Sequence, residues 1–205
     1  MVARPPVRIT VQPMGADDIP AVHAIESASF PTPWPPYAFR QELETNRMAR
    51  YLVVRAGQRV IAYAGVWLMV DEAHVTTFAV LPAYRRRGVG GLLLSELMAM
   101  SAAIGAVVVT LEVRLGNVAA RQLYQRFGFR PVGVRPRYYS DNGEDALIMT
   151  TERLDSPDMQ RLMSHLAARY AIDVLREDPG YVPDQDDARE DDVPDLDDAR
   201  EVREA

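Results

Sequence analysis

The order of hydrophobic and polar residues predicts strands and helices that follow one another through the first 154 positions. Alternating or continuous β-branched apolar runs predict strands at residues 7–13, 50–54, 60–70, 74–81, 106–113, 130–134 and 146–151. Apolar residues spaced three and four apart predict helices at about residues 17–30, 37–44, 89–104 and 118–127. This order is typical of an α/β fold in which helices cover both faces of a mixed sheet.

The chain beyond residue 154 changes character twice. Ser156 is predicted to cap a helix that runs to Arg176. We expect the apolar side of this helix to pack on the body of the protein rather than on a partner. Residues 177–205 hold 13 acidic residues and three arginines, a charge of −10, whereas the rest of the chain carries +4. Few apolar groups and high charge predict disorder. We therefore divide the chain into a domain at 7–154, a helical extension at 155–178 and an acidic disordered tail at 179–205.

Composition narrows the class of protein. No apolar run is long enough for a membrane span and no apolar signal core follows the N-terminus, so we expect a cytoplasmic protein. The chain has no cysteine, which excludes disulfides, thiolate metal ligands and a cysteine nucleophile. His23, His74 and His165 lack metal-ligand spacing, so we expect no metal and three ordinary histidines.

A turn rich in arginine and glycine separates a predicted strand from a predicted helix. It reads Arg85-Arg86-Arg87-Gly88-Val89-Gly90-Gly91. Glycines let the backbone come close to a ligand, and the free N–H groups of a helix start favour anions. The three arginines add positive charge where phosphates would lie. Tight turns also need glycine for geometric reasons, so both interpretations stay open on this motif alone.

Glu112, Asn117 and Tyr124 follow this turn in the chain and are candidates for a structural or a chemical role. Glu112 lies in an apolar strand, where a carboxylate is either paired with Arg114 or Arg121 or kept for function. Tyr124 is either a core tyrosine with its hydroxyl at the rim or a proton donor. Asn117 is expected to cap the helix that follows it.

Several motifs in the right order resemble the Gcn5-related N-acetyltransferases over about 145 residues. Arg85-x-x-Gly88-x-Gly90 matches the family's Gln/Arg-x-x-Gly-x-Gly/Ala motif. The segments 111–129, 137–139 and 143–149 are similar, more narrowly, to the ribosomal-protein alanine N-acetyltransferases. The last predicted helix and the acidic tail lie outside the resemblance.

The resemblance implies that acetyl-CoA lies in a gap between splayed central strands. It implies that the pantetheine arm pairs with the strand edge and that the pyrophosphate lies on the amides of the turn, both of which suit the physical reading of these segments. The implied contacts with acetyl-CoA are Phe78, Ala79, Val80, Arg85, Arg86, Arg87, Gly88, Val89, Gly90, Gly91 and Asn117.

The resemblance also implies direct acetyl transfer in a ternary complex. Glu112 is then the general base and Tyr124 the general acid that protonates the departing thiolate. We expect burial to raise the pKa of Glu112, and a backbone N–H near Ala79 or Val80 to stabilise the oxyanion.

The implied acceptor is a protein N-terminal amine, and more narrowly the N-terminal alanine of the small-subunit ribosomal protein numbered eighteen. Trp34, Tyr37, Tyr138 and Tyr139 frame the implied peptide groove, where extra prolines at 30–37 depart from the family pattern. The alternatives are a broader protein or small-amine acetyltransferase and a non-catalytic acetyl-CoA-binding module. We expect no nucleic-acid partner, no membrane, and a monomer or weak dimer.

Overall fold

A computed structural model of the chain describes residues 7–171 together with the backbone of residues 174–175. The helices are α1 (Ile19–Ser29), α2 (Pro36–Glu44), α3 (Val89–Ala103), α4 (Val118–Arg126) and α5 (Pro157–Arg169). The strands are β1 (Val7–Pro13), β2 (Ala49–Ala56), β3 (Arg59–Met69), β4 (Glu72–Val80), β5 (Val108–Arg114), β6 (Phe129–Arg135), β7 (Ala146–Thr151) and β8 (Val174–Leu175). None of the helices within these residues is long and apolar enough to cross a membrane.

The strands form one mixed sheet in the order β6-β7-β5-β4-β3-β2-β1-β8. Only β4 and β5 run parallel, and every other neighbouring pair is antiparallel. The long connection between the parallel strands contains α3, as a parallel crossover requires. The predicted mixed α/β sheet is therefore confirmed.

Helices cover both faces of the sheet because its strands alternate between two apolar cores. Leu52 and Val54 of β2 belong to a large core that also holds side chains of α3, α4 and α5. Tyr51 and Val53, whose side chains point the other way, belong to a smaller core with α1 and α2. The sheet thus holds the two groups of helices apart.

A one-residue irregularity in β4 opens the sheet at its centre. β4 and β5 pair only from Glu72 with Val108 to Val75 with Leu111, although both strands continue beyond that point. The register between β3 and β4 shifts at the next residue, Thr76, which has no partner on β3. An extra residue bends a strand and increases its twist. The bend therefore carries the second half of β4 away from β5 and leaves a gap between them.

The end of the chain departs from the sequence prediction. The helix predicted to reach Arg176 ends at Arg169, and β8 then pairs with the edge strand β1. No glycine or proline occurs among the nine residues after Arg169, so the sequence carries no local signal for this end. Tyr170, at the end of the helix, stacks on Phe127. The predicted packing of the helix on the body is confirmed, since Met159 and Leu166 lie in the large core. The acidic tail at 179–205 lies outside the described residues.

Candidate active site

A cavity of about 540 Å³ lies in the gap between β4 and β5. Its walls come from the second half of β4, the end of β5, the segment after α1 and the loop between β6 and β7. It brings together seven of the residues predicted from the sequence: Trp34, Phe78, Glu112, Asn117, Tyr124, Tyr138 and Tyr139. The splayed strands therefore concentrate the predicted chemistry in one place.

Glu112 projects from β5 into this region with two cationic or ionisable partners. His74 Nε2 lies 2.7 Å from Glu112 Oε2, and Arg135 Nη2 lies 3.1 Å from Oε1. Neither arginine that was considered as a partner contacts Glu112: Arg114 pairs with Asp141 and Glu144 in the β6–β7 loop. Arg121, the other candidate, donates to Leu115 O. His74, expected to be an ordinary histidine, is the partner that sequence reasoning missed.

These partners reverse the expected effect of burial on the carboxylate. The Glu112 side chain is 8 % exposed, and burial by itself raises the pKa of this group. The hydrogen bond with His74 and the charges of His74 and Arg135 outweigh that effect, so the pKa of Glu112 lies below its usual value. The same hydrogen bond raises the pKa of His74 against the opposing effect of its burial. Glu112 is consequently ionised at neutral pH.

Tyr124 lies across the cavity from the strand end, on α4. Its ring packs edge-on against Phe78, with centroids 6.1 Å apart, and tilted against Phe129 at 5.7 Å. Burial raises the pKa of the Tyr124 hydroxyl above its ordinary value, and Tyr139 adds to this. The group therefore keeps its proton until an acceptor forms beside it. Asn117 caps α4 as predicted, since its side chain accepts from Ala120 N at 3.2 Å.

The backbone of β4 presents alternate residues to the gap. Leu81 N donates to Ile61 O on β3, and residues of an antiparallel pair alternate in direction. Ala79 therefore also faces β3, whereas the backbone groups of Phe78 and Val80 point into the gap. Of the two amides expected to stabilise an oxyanion, only that of Val80 is oriented for it.

The arginine-glycine turn forms a curved loop that ends in the first turn of α3. Arg86 and Gly88 both take left-handed backbone angles, with φ of 61° and 78°. Such conformations are uncommon outside glycine and turn backbone N–H groups into an anion-binding concavity. The first intrahelical bond is from Leu92 N to Gly88 O, so the amides of residues 89–91 precede it as free donors.

The arginine side chains of this loop divide their roles. Arg85 Nε donates to Val80 O at 2.9 Å, and its Nη2 donates to Ser29 Oγ at 3.1 Å. Arg85 thus ties the loop to the end of β4 in this structure, and its predicted contact with acetyl-CoA stays a prediction. Arg87 lies over the Tyr84 ring, 5.6 Å from its centroid.

The aromatic residues expected to bind substrate are only partly brought together. Trp34 packs on Phe39 with centroids 5.8 Å apart, and Tyr138 and Tyr139 meet edge to face at 5.3 Å. Arg114 stacks on the Tyr139 ring, with its guanidinium carbon 3.8 Å from the centroid. Tyr37 is 72 % exposed and does not line the cavity.

A second carboxylate in the cavity wall was missed by sequence reasoning. Glu26 of α1 is 3 % exposed, accepts a hydrogen bond from Trp34 N at 3.1 Å and accepts another from the Tyr63 hydroxyl. The Tyr63 hydroxyl lies 3.0 Å from Thr77 Oγ1 on β4. A single glutamate on an amphipathic helix carries no signal of burial, because its partners are 8 to 37 residues away.

The chain is similar in sequence to several known proteins. The family described as the acetyltransferase (GNAT) family matches residues 19–129. The ribosomal protein bS18-alanine N-acetyltransferase of Escherichia coli is 35% identical over 144 residues, which are 68% of this chain and 95% of that protein. N-alpha-acetyltransferase RimI of Mycobacterium tuberculosis is 44% identical over 130 residues, 62% of this chain and 78% of that protein.

Solved structures have the same fold. The ribosomal-protein-S18-alanine N-acetyltransferase from Escherichia coli superposes with a TM-score of 0.65 at 31% sequence identity, over 70% of this chain and 92% of that one. Ard1 from Thermoplasma volcanium superposes with a TM-score of 0.66 at 26% identity, over 73% of this chain and all of that one.

Proposed function

The chain belongs to the acetyltransferase (GNAT) family, and from that premise we propose that it acetylates protein N-terminal α-amines, with the N-terminal alanine of ribosomal protein bS18 as acceptor. The observation that carries the proposal is the cavity between β4 and β5, whose walls include both an ionised Glu112 and a protonated Tyr124. The name of the Mycobacterium tuberculosis relative supports an α-amine as acceptor, and that of the Escherichia coli relative supports the alanine of bS18.

The residues around the gap fit acetyl-CoA. Free amides at 89–91 and the left-handed loop before them suit the pyrophosphate, and the outward-facing edge at Phe78 and Val80 suits an amide-bearing arm. Gly90 supports the fit, because a methyl group there would meet Leu123, Val80 and Phe78 only at ordinary distances of 3.5–4.0 Å. Packing does not require that glycine, whereas a closely approaching ligand does. Acetyl-CoA supplies the acetyl group as a reactive thioester.

Glu112 accepts the proton of the attacking amine in this proposal. An α-amine has a pKa of about 8 and is mostly protonated at neutral pH, so a base is required. His74 and Arg135 keep the carboxylate ionised, which makes it available but weakens it as a base. The proton of the amine must leave before the nitrogen lone pair can attack the acetyl carbon, so the ammonium gives it to Glu112, directly or through water, at the start of the reaction.

Tyr124 protonates the departing sulfur, and the N–H of Val80 stabilises the oxyanion. The phenol is held by Phe78 and Phe129 rather than by a base, so it donates only when a thiolate develops beside it. Trp34, Tyr138 and Tyr139 then orient the acceptor peptide at the opposite mouth of the cavity.

Steady-state kinetics with acetyl-CoA and three peptides test the proposal. The first peptide has a free N-terminal alanine and the second is the same peptide with an acetylated N-terminus. The third is the second with one internal residue replaced by lysine. We expect turnover of the first alone. Glu112→Gln and Tyr124→Phe should each lower kcat by about 100-fold or more with little change in the KM for acetyl-CoA.

Glu152→Gln is the matched control, since Glu152 pairs with Arg130 on the exposed side of β6 and β7. Activity in both site variants equal to that of the control would refute the assigned chemistry. Turnover of the lysine peptide at a similar rate would replace the α-amine by a broader acceptor class. Binding of acetyl-CoA without turnover of any peptide would support the alternative function, a non-catalytic acetyl-CoA-binding module.

A further inference from the structure

The first turn of α3 is poorly suited to hold its own shape. Glycines occupy its cap, Gly88, and two of its first three positions, Gly90 and Gly91. Glycine stabilises a helical conformation less than alanine does, because its backbone has more freedom to lose. The three amides proposed to receive the pyrophosphate are carried on this turn. Something outside the turn must therefore keep it helical in the absence of a ligand.

Tyr170, the residue that follows α5, packs directly on this turn. A methyl group built at Gly91 would lie 2.3 Å from Cδ1 and Cε1 of the Tyr170 ring, so the ring occupies the space that any other side chain would fill. Tyr170 is 7 % exposed and stacks on Phe127 at the end of α4, with ring centroids 5.5 Å apart and planes inclined by 24°. One aromatic ring thus wedges between the glycine turn and α4.

The segment that carries Tyr170 is anchored on both sides. Before it, Met159 and Leu166 of α5 lie in the large apolar core. After it, β8 pairs with β1 at the opposite edge of the sheet. The ring therefore lies between two anchored elements, α5 and β8, which both come after β7 in the chain.

We propose that Tyr170 is a positioning residue for acetyl-CoA: it holds the glycine-rich first turn of α3 in the conformation that presents the amides of residues 89–91 to the pyrophosphate. This inference rests on the proposed function of the loop. Pre-ordering a binding loop raises affinity because the cost of ordering is met before the ligand arrives. Tyr170 touches no substrate and has no part in the chemistry.

Calorimetric binding of coenzyme A tests the proposal with three variants of the full chain. Tyr170→Ala should raise the Kd for coenzyme A about tenfold, the effect expected when two glycines regain their freedom. Tyr170→Phe keeps the ring and should bind as the unmodified protein does. Met159→Ala removes a comparable buried side chain from the other end of α5, beside Gly128, and should lower the Tm without weakening binding.

The exchange rate of the Leu92 amide provides a readout that does not involve the ligand. Leu92 N closes the first turn on Gly88 O at 3.0 Å, so its exchange reports whether that turn is formed. Tyr170→Ala should speed this exchange at least fivefold relative to Met159→Ala, under conditions where both remain folded. Equal exchange in the two variants, or equal loss of coenzyme A affinity in both, would overturn the positioning role.

A double substitution distinguishes the effect of the Tyr170–Gly91 contact on coenzyme A affinity from its effect on overall stability. Gly91→Ala alone should lower the Tm and the affinity, since the new methyl group collides with the ring. Adding Tyr170→Ala should recover most of the lost Tm but not the affinity. If the unmodified protein bound no coenzyme A while the exchange data behaved as expected, the proposed function would fail and the bracing contact would stand.

Discussion

His74 Nε2 and Glu112 Oε2 lie 2.7 Å apart. The two residues flank Val75 and Leu111, the last pair between β4 and β5 before the strands separate. The contact joins a histidine to the proposed general base, and Arg135 contacts the other carboxylate oxygen. It explains how a largely buried carboxylate stays ionised. It also makes the state of the active site depend on the protonation of a group that does not line the cavity.

We predict that His74→Gln lowers the free energy of unfolding by about 1–2 kcal/mol near pH 6, since a hydrogen bond between charged groups is lost. Because the pKa of His74 is raised in the folded protein, the pair stabilises the fold fully below about pH 6.5. This stabilisation is lost as the pH rises through the pKa of His74 in the folded protein. The lowered pKa of Glu112 gives one that is present above about pH 4.5 and lost as the pH falls.

Urea unfolding from pH 3 to pH 9 measures this effect. The difference between the two proteins should be largest between about pH 4.5 and 6.5 and should shrink on either side. His165→Gln, at an exposed position of α5, is the matched control and should show no such dependence. A constant difference across the range would mean that the pair carries no charge.

Arg85→Ala should impair acetyl transfer equally whether or not the acetyl donor carries a pyrophosphate. Because Arg85 donates to Val80 O and Ser29 Oγ, its loss should loosen the end of β4 and lower kcat/KM about tenfold for acetyl-CoA and for acetyl-pantetheine alike. Arg86→Ala, in the exposed part of the loop, should affect acetyl-CoA alone. A loss confined to acetyl-CoA in Arg85→Ala would show that this side chain contacts the pyrophosphate instead.

Arg114→Ala should raise the KM for the acceptor peptide about fivefold and leave the KM for acetyl-CoA unchanged. Arg114 binds Asp141 at 2.8 Å and Glu144 at 3.2 Å and stacks on Tyr139, so it orders the loop that forms one wall of the cavity. Arg130→Ala breaks an exposed ion pair outside the cavity and serves as the control. Equal changes in both KM values would argue against a role confined to the acceptor side.

Gly65→Ala should destabilise the sheet by about 1–3 kcal/mol, as expected for overpacking. The new methyl group would lie 2.3 Å from the Tyr51 ring, which is buried and holds Glu42 and Thr76 through its hydroxyl. Gly133→Ala is the control, because the nearest atom to its methyl group would be that of Ile148 at 3.4 Å, which is close to ordinary van der Waals contact. Urea unfolding of both variants should show a clearly smaller loss for Gly133→Ala.

Local patterns predicted most of the elements because the information that defines them is local. The strand at Ala146–Thr151 and the helix capped by Asn117 were both predicted within one residue, the first from β-branched alternation and the second from a cap and a following glycine. The end of α5 was wrong by seven residues, since the contact of Tyr170 with Gly91 involves residues 79 positions apart. The division into a domain, an extension and a tail stays a prediction.

The order of strands and helices, the glycine turn and the acid and base candidates can be predicted from the sequence, because each depends on neighbouring residues or on a motif. The surroundings of those candidates depend instead on three-dimensional packing. Thr76, which has no partner on β3, bends β4 away from β5, and His74 and Arg135 keep the pKa of Glu112 below its usual value. Arg85 donates to Val80 O at the end of β4. Contacts between residues far apart in the chain depend on how the strands pair, and spacing along the sequence does not encode them.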